Sequence, residues 1–225
     1  TRESQYQIIV KEDGEIVEIT DTIKRWTDYF KNIKLDRPSG GVYPYKQDKS
    51  FVDTPYSYYP HECSVGDVDG DGEYELFVKW TPTNAQDNAQ SFGKTGNVYI
   101  DCYRMNGTKL WRVNLGINIR AGSHYTQFLV YDFNGDGRAE MICKTAPGSL
   151  DGENAFVNQA SDEKEIRIAD NQKDWRTKEG RIIGGQEYLT VFEGLTGKAI
   201  HTVFYNPNRN AEYGGEADGS FNWSD

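Results

Sequence analysis

Three cysteines in 225 residues, Cys63, Cys102 and Cys143, are too few and too odd in number for a dense disulfide framework. Each lies in or beside a β-like run, so buried thiols are expected, with a Cys63–Cys143 bridge as the open alternative. No apolar run approaches the roughly 18 residues of a membrane span, and no secretory leader stands at the start. No membrane span is therefore expected. Basic residues number 25 against 35 acids, a net charge of −10, and they form no basic stripe. Nucleic acid is accordingly not expected as a partner. Also missing are a Ser/His/Asp set, zinc-ligand spacing and a phosphate-binding glycine loop. The chain opens at Thr1 and ends on a Gly/Asn/Ser-rich stretch without a closing element, which leads us to expect part of a longer protein.

What the chain does contain is Asp67-Val-Asp-Gly-Asp-Gly-Glu-Tyr-Glu75. Carboxylates alternate with spacers, two glycines permit a sharp turn, and further acids follow. Calcium takes about 6–8 oxygen ligands, so a short turn rich in carboxylates suits it. The candidate ligands are Asp67, Asp69, Asp71, Glu73 and Glu75. An EF-hand would carry a bidentate Glu at about position 12, where this chain has Val78; here the closing acid is Glu75. The following Glu75–Trp80 is β-prone and too short for an exiting helix, so the metal is expected in the turn of a β-hairpin. A second copy at Asp132–Glu140 repeats the spacing, with candidate ligands Asp132, Asn134, Asp136, Arg138 and Glu140 and with Cys143 where Val78 stood. Loops of this kind work best where calcium is plentiful, outside the cytosol.

Around the two loops the chain falls into strands. Tyr6–Thr20 reads as a hairpin turned at Asp13-Gly14. Asp21–Leu35 fits a short helix or a strand equally, Pro38–Gly41 breaks the chain, and the Pro- and Tyr-rich segment to Pro60 reads as an extended loop. We place a β segment at 1–37 and the main body at 38–225. In the body, Ser64–Asp67, Glu75–Trp80, Asn97–Arg104 and Lys109–Leu115 form one four-stranded unit. A second comprises His124–Asp132, Glu140–Lys144, Glu187–Glu193 and Lys198–Tyr205, with a polar, turn-rich insertion at Leu150–Arg181. Tandem four-stranded units of about 40–50 residues are the pattern of β-propeller blades, and a ring needs about 4–8 of them. The all-β reading is thus an incomplete β-propeller whose remaining blades lie elsewhere; a β-sandwich with two metal turns is the alternative.

Propeller geometry sorts the residues by face. The acidic turns join first to second strands, so they lie on one face and are structural. The opposite face gathers Pro60-His61-Glu62, Thr81–Asn84, Asp87-Asn88, Arg120–His124 and Lys144-Thr145. Loops on a rigid scaffold are the usual place for binding and catalysis. Lys79 and Lys144 end second strands, where solvated lysines are as expected as ligands. Trp80 and Trp111 are expected in the core.

Taken together, Cys63–Glu75, Val78-Lys79-Trp80, Thr95–Asp101, Gly107–Arg112, Asn118–Phe128 and Cys143-Lys144-Thr145 closely resemble rhamnogalacturonan lyases of polysaccharide lyase family 11. The resemblance is dense from Tyr56 to Lys144, continues through Glu187 to Lys198 and thins before Pro38. It implies an eight-bladed, calcium-rich propeller, secreted or periplasmic, that cleaves the rhamnose–galacturonate backbone of pectin by β-elimination. Arg120, His124 and Lys144 are then the catalytic candidates, and His61, Thr81 and Asn84 the substrate-binding ones. The family usually carries Asn and Asp, implied as sugar contacts, where this chain has His61 and Thr81. Most of the family's catalytic groups lie beyond the part represented here, so this chain alone is expected to be inactive. A non-enzymatic, calcium-stabilised propeller that binds glycan or a protein partner is the rival reading.

Overall fold

The computed structural model describes residues 5–20, 22–24, 28–87, 90–122 and 125–209. They divide into a small N-terminal unit ending at Lys34 and a larger one beginning at Leu35. In the small unit, strands β1 (Gln5–Tyr6) and β4 (Ile23–Lys24) pair antiparallel, and β2 (Ile9–Glu12) and β3 (Glu15–Ile19) form a hairpin. Its turn is the expected Asp13-Gly14, with φ of 50° and 89°. Both values lie in the left-handed region that two-residue hairpin turns demand and that Asp and Gly tolerate.

The larger unit opens with a hairpin of β5 (Gly41–Gln47) and β6 (Ser50–Tyr56), where the sequence reads as an extended loop. Pro44 and Pro55 disguise it. Proline removes a ladder donor and is tolerated only in edge positions, which a two-stranded ribbon supplies. Tyr43 stacks on Tyr56 at 5.7 Å and Tyr45 meets Phe92 at 5.3 Å, so alternate tyrosines pack inward.

Two four-stranded antiparallel meanders follow. The first contains β7 (Tyr58–Gly66), β8 (Glu75–Pro82), β9 (Tyr99–Tyr103) and β10 (Lys109–Asn114), in that spatial order. The second contains β11 (Phe128–Tyr131), β12 (Glu140–Thr145), β13 (Tyr188–Phe192) and β14 (Ala199–Phe204). The described chain is all-β, with one 3-10 turn at Val157–Ala160 and one helical turn at Lys164–Arg167. Both sheets are open. Among the described residues no helix is long and apolar enough to cross a membrane, which says nothing of a β-barrel.

The sheets share one core, in which Phe77, Ile100 and Val113 of the first meet Met141, Cys143 and Phe192 of the second. Cβ-less Gly66 lets β7 approach Val130 and Ala139, because a methyl there would lie 2.6–2.7 Å from them. The other side of the first sheet buries Tyr58, Val78, Trp80 and Tyr103. There the carboxylate of Asp101, wholly buried, accepts bonds from Trp80 Nε1 at 2.9 Å, Tyr103 OH at 2.6 Å and Arg112 Nε at 2.6 Å. Saturating a buried carboxylate in this way is what makes its burial tolerable. Trp80 and Trp111 are core residues as expected, at 2% and 4% exposure. The insertion is better packed than its polarity suggests, for Val157 and Ile166 are buried. All three cysteines are free thiols, and Cys63 is exposed rather than buried because it lies on the open side of edge strand β7. No Cys63–Cys143 bridge forms.

Candidate functional site

The two acidic loops connect β7 to β8 and β11 to β12, and they share four backbone-to-carboxylate bonds. In the first, Asp67 Oδ1 accepts from Gly70 N at 2.7 Å and Oδ2 from Gly72 N at 2.8 Å. Asp71 Oδ1 accepts from Glu73 N at 2.8 Å, and Glu75 Oε2 from Val68 N at 3.1 Å. In the second, Asp132 Oδ1 accepts from Gly135 N at 2.6 Å and Oδ2 from Gly137 N at 2.9 Å. Asp136 Oδ1 accepts from Arg138 N at 2.9 Å, and Glu140 Oε2 from Phe133 N at 2.9 Å. Gly70, Gly72, Gly135 and Gly137 have φ between 77° and 86°, which is why glycine stands fourth and sixth in both loops. The loops adjoin, since Ala139 N donates to Asp67 O at 2.6 Å.

Asp67, Asp69 and Asp71 bring their carboxylate oxygens within 4.8 Å of one another. Asp69 Oδ2 accepts from Arg104 Nη2 at 2.7 Å, while Asp69 Oδ1 is buried without a hydrogen-bond partner among the described residues. Arg104 Nη1 also stands 3.8 Å from Glu75 Oε1. The arginine's hydrogen bond holds the Asp69 carboxyl below its usual range, and burial pushes that of Glu75 up. An orphaned oxygen within a set of hard oxygen donors fits a hard divalent cation such as calcium. In the second loop the Asn134 carboxamide fills the corresponding place, donating to Glu140 Oε1 at 2.9 Å and Asp136 Oδ2 at 3.3 Å. The amides of Gly137, Gly135 and Asp136 hold the Asp132 carboxyl low. Glu73 and Arg138 are exposed, and Arg138 could offer a metal only its backbone carbonyl because a guanidinium has no acceptor.

The other candidates gather at the opposite ends of the same strands. His61 and Glu62 lie within β7 at a bulge, and Thr81 lies within β8, paired with Tyr59. His61 and Thr81 are thus held by the ladder instead of a free loop. Lys79 is 1% exposed, with Nζ 2.6 Å from Glu62 Oε2 and 3.1 Å from Thr126 O, so it is no solvated strand-end lysine. His61 Nδ1 is 3.5 Å from Glu62 Oε1. Asn84 staples its loop, donating to Lys94 O at 3.3 Å and accepting from Gly96 N at 3.0 Å. Arg120 is buried, donates to Gln90 O and stands 5.6 Å over the Tyr125 ring. Tyr125, Gln127, Lys144 and Tyr205 line a cavity of about 550 Å³, so Tyr125 connects Arg120 to the space beside Lys144. Lys144 Nζ is 3.0 Å from Glu187 Oε1, which also accepts from Arg209 Nη2 at 2.7 Å. Burial alone would raise the Glu187 carboxyl, yet Arg209 and Lys144 hold it low. His124 and Asn88 lie outside the described residues.

The family described as "Rhamnogalacturonan lyase family 11, C-terminal domain" matches residues 30–220. The chain belongs to this family. It is 46% identical over 209 residues to the rhamnogalacturonan exolyase YesX of Bacillus subtilis, covering 93% of this chain and 31% of that protein. To the rhamnogalacturonan endolyase YesW of the same organism it is 44% identical over 206 residues, covering 92% and 30%. Among solved structures, exotype YesX superposes with a TM-score of 0.77 over 93% of this chain and 32% of that one. The Bacillus licheniformis rhamnogalacturonan lyase gives 0.74 at 43% identity, covering 92% and 32%. The chain spans about a third of the length of the curated relatives it matches.

For a family 11 chain the sequence reading missed two features, Arg104 at the first acidic loop and the Glu187–Arg209 pair behind Lys144. Arg104 carried a faint signal, since it closes the strand that runs up beside the loop. Glu187 and Arg209 are 22 positions apart and meet only through the packing of β13 against the chain that follows β14.

Proposed function

We propose that this chain is part of a calcium-dependent lyase that cleaves the rhamnogalacturonan I backbone of pectin by β-elimination at galacturonate. The observation that carries the reading is 46% identity over 93% of the chain to a protein named as a rhamnogalacturonan exolyase. In this reading the two meanders are consecutive blades of a β-propeller whose other blades lie in the rest of the protein, which is secreted or periplasmic. Calcium in the acidic loops supplies charge neutralisation that keeps the turns closed, and the substrate meets the opposite end of the strands.

In the elimination a base takes the C5 proton of galacturonate, the C–H electrons form the C4–C5 double bond, and the C4–O bond breaks, its electrons leaving on the oxygen of the preceding chain, which takes up a proton. Negative charge accumulates beside a carboxylate, so a positioned cation lowers the barrier. In this reading Lys144, which lines the cavity, binds that carboxylate, and Arg120 fixes the neighbouring wall through Tyr125. His61 and Thr81 take the sugar-contact positions on the β7–β8 ladder, with Asn84 holding the loop that follows β8.

The test is ultraviolet absorbance of the unsaturated product when the complete protein, with calcium, meets rhamnogalacturonan I. A steady rise is expected. Binding without any rise would overturn the lyase reading in favour of a glycan-binding propeller.

A further inference from the structure

The third residue of the acidic loops differs between the two sheets, and so does the residue that follows the third strand of each. Tyr103 pairs with Leu76 in the first sheet and Phe192 with Met141 in the second. Arg104 and Glu193, the next residues, are therefore equivalent. An acid at the third loop position goes with arginine, Asp69 with Arg104; an amide goes with an acid, Asn134 with Glu193. Glu193 turns to its own hairpin, accepting from Thr196 Oγ1, whereas Arg104 reaches into the loop.

We propose that Arg104 is a positioning residue for the metal: by taking Asp69 Oδ2 it fixes Asp69 Oδ1 as a one-oxygen ligand facing the loop. The inference rests on the metal reading of the loop. Asp69 Oδ2 is satisfied by the arginine at 2.7 Å, and Oδ1 is left buried and unpartnered beside Asp67 and Asp71. Two effects of the guanidinium oppose each other. Its charge repels a dication, and its hydrogen bond orients the ligand. With the Arg104 side chain 35% exposed, water screens the repulsion, while the hydrogen bond acts directly on the ligand. Orientation therefore prevails. Loss of such an outer partner typically weakens metal affinity about 10–100-fold.

The experiment is a calorimetric calcium titration of the complete protein carrying Asp136→Asn to silence the second loop. Arg104→Met is expected to weaken binding about 10-fold or more, and Arg104→Lys, which keeps one donor, to recover most of the loss. Affinity unchanged or tighter in Arg104→Met would overturn the proposal. So would a lower thermal midpoint in chelator with calcium affinity intact, which would mark the arginine as a fold contact only. An Asp71→Asn control separates the two levels. If it leaves the titration unaltered, the metal reading of the loop itself fails.

Discussion

The two meanders share their strand order, their acidic loop and a lysine near the end of the second strand, yet they compensate charge differently at both ends. At the loop end the first sheet pairs a third carboxylate, Asp69, with Arg104, while the second uses the neutral Asn134. At the other end Lys79 is held by Glu62 from the first strand of its sheet, and Lys144 by Glu187 at the entrance to the third. Lys79 is sealed at 1% exposure; Lys144, at 14%, borders the cavity. One repeated scaffold thus supplies a structural lysine and an accessible one, and the difference lies in which neighbouring strand provides the carboxylate.

The largest test of that difference is to remove each glutamate. Glu187→Ala deprives two cations, Lys144 and Arg209, of the buried carboxylate they share, and should cost about 3–5 kcal/mol in chemical denaturation. Glu62→Ala should cost less than half as much, because Glu62 is 30% exposed and water can replace it. Equal losses would show the two lysine pairs to be interchangeable. Next comes the loop end. Asp71→Ala should lower the thermal midpoint only in calcium. At 100 times the dissociation constant a bound ion contributes about 2.7 kcal/mol, or roughly 5–10 °C for a chain of this size. The same shift in chelator would argue against metal there.

The turns of those loops were legible in the sequence because the bonds that shape them are local, whereas Arg104 reaches the first loop from 35 residues away. Asp67 finds its partners at Gly70 and Gly72, and Asp132 finds its own at Gly135 and Gly137, so spacing alone encodes the turn. The Asp13-Gly14 hairpin and both meanders were readable for the same reason. The β5–β6 hairpin was not, because Pro44 and Pro55 argue against a strand unless its edge position is already known. At the candidate site, residue types did not disclose burial or pairing. The burial of Lys79 depends on Thr126 and that of Lys144 on Glu187, partners far along the chain that only tertiary packing brings close.

A smaller effect should appear at Glu75, whose carboxyl burial raises while Arg104 and the Val68 amide pull it down. A carboxyl raised in the folded state costs stability when ionised, and the cost disappears as pH falls through its folded value. Without metal, Glu75→Gln should therefore raise the thermal midpoint at neutral pH by about 1–3 °C and flatten its pH dependence just above the ordinary carboxylate range. With calcium the sign should reverse, because the amide cannot offer the ion a charge. Asp69 and Asp132 act oppositely: their carboxyls are held low, so the stability they contribute is present above the ordinary Asp value near about 3.9 and fades below it.

The smallest change asks whether the second loop can be turned into the first. Asn134→Asp restores the third carboxylate but not its arginine, since Glu193 occupies the place of Arg104. In chelator the new acid would lie beside Asp136 and Glu140, trading two donated hydrogen bonds for like-charge repulsion. A fall of about 1–2 °C in the midpoint is expected. In calcium the added charge should offset that loss, and affinity should rise only a few-fold because nothing orients the carboxylate. Adding Glu193→Arg should then bring the remaining gain, read by the same calcium titration. If the single substitution alone matched the affinity of the first loop, ligand charge rather than ligand orientation would distinguish the two sites.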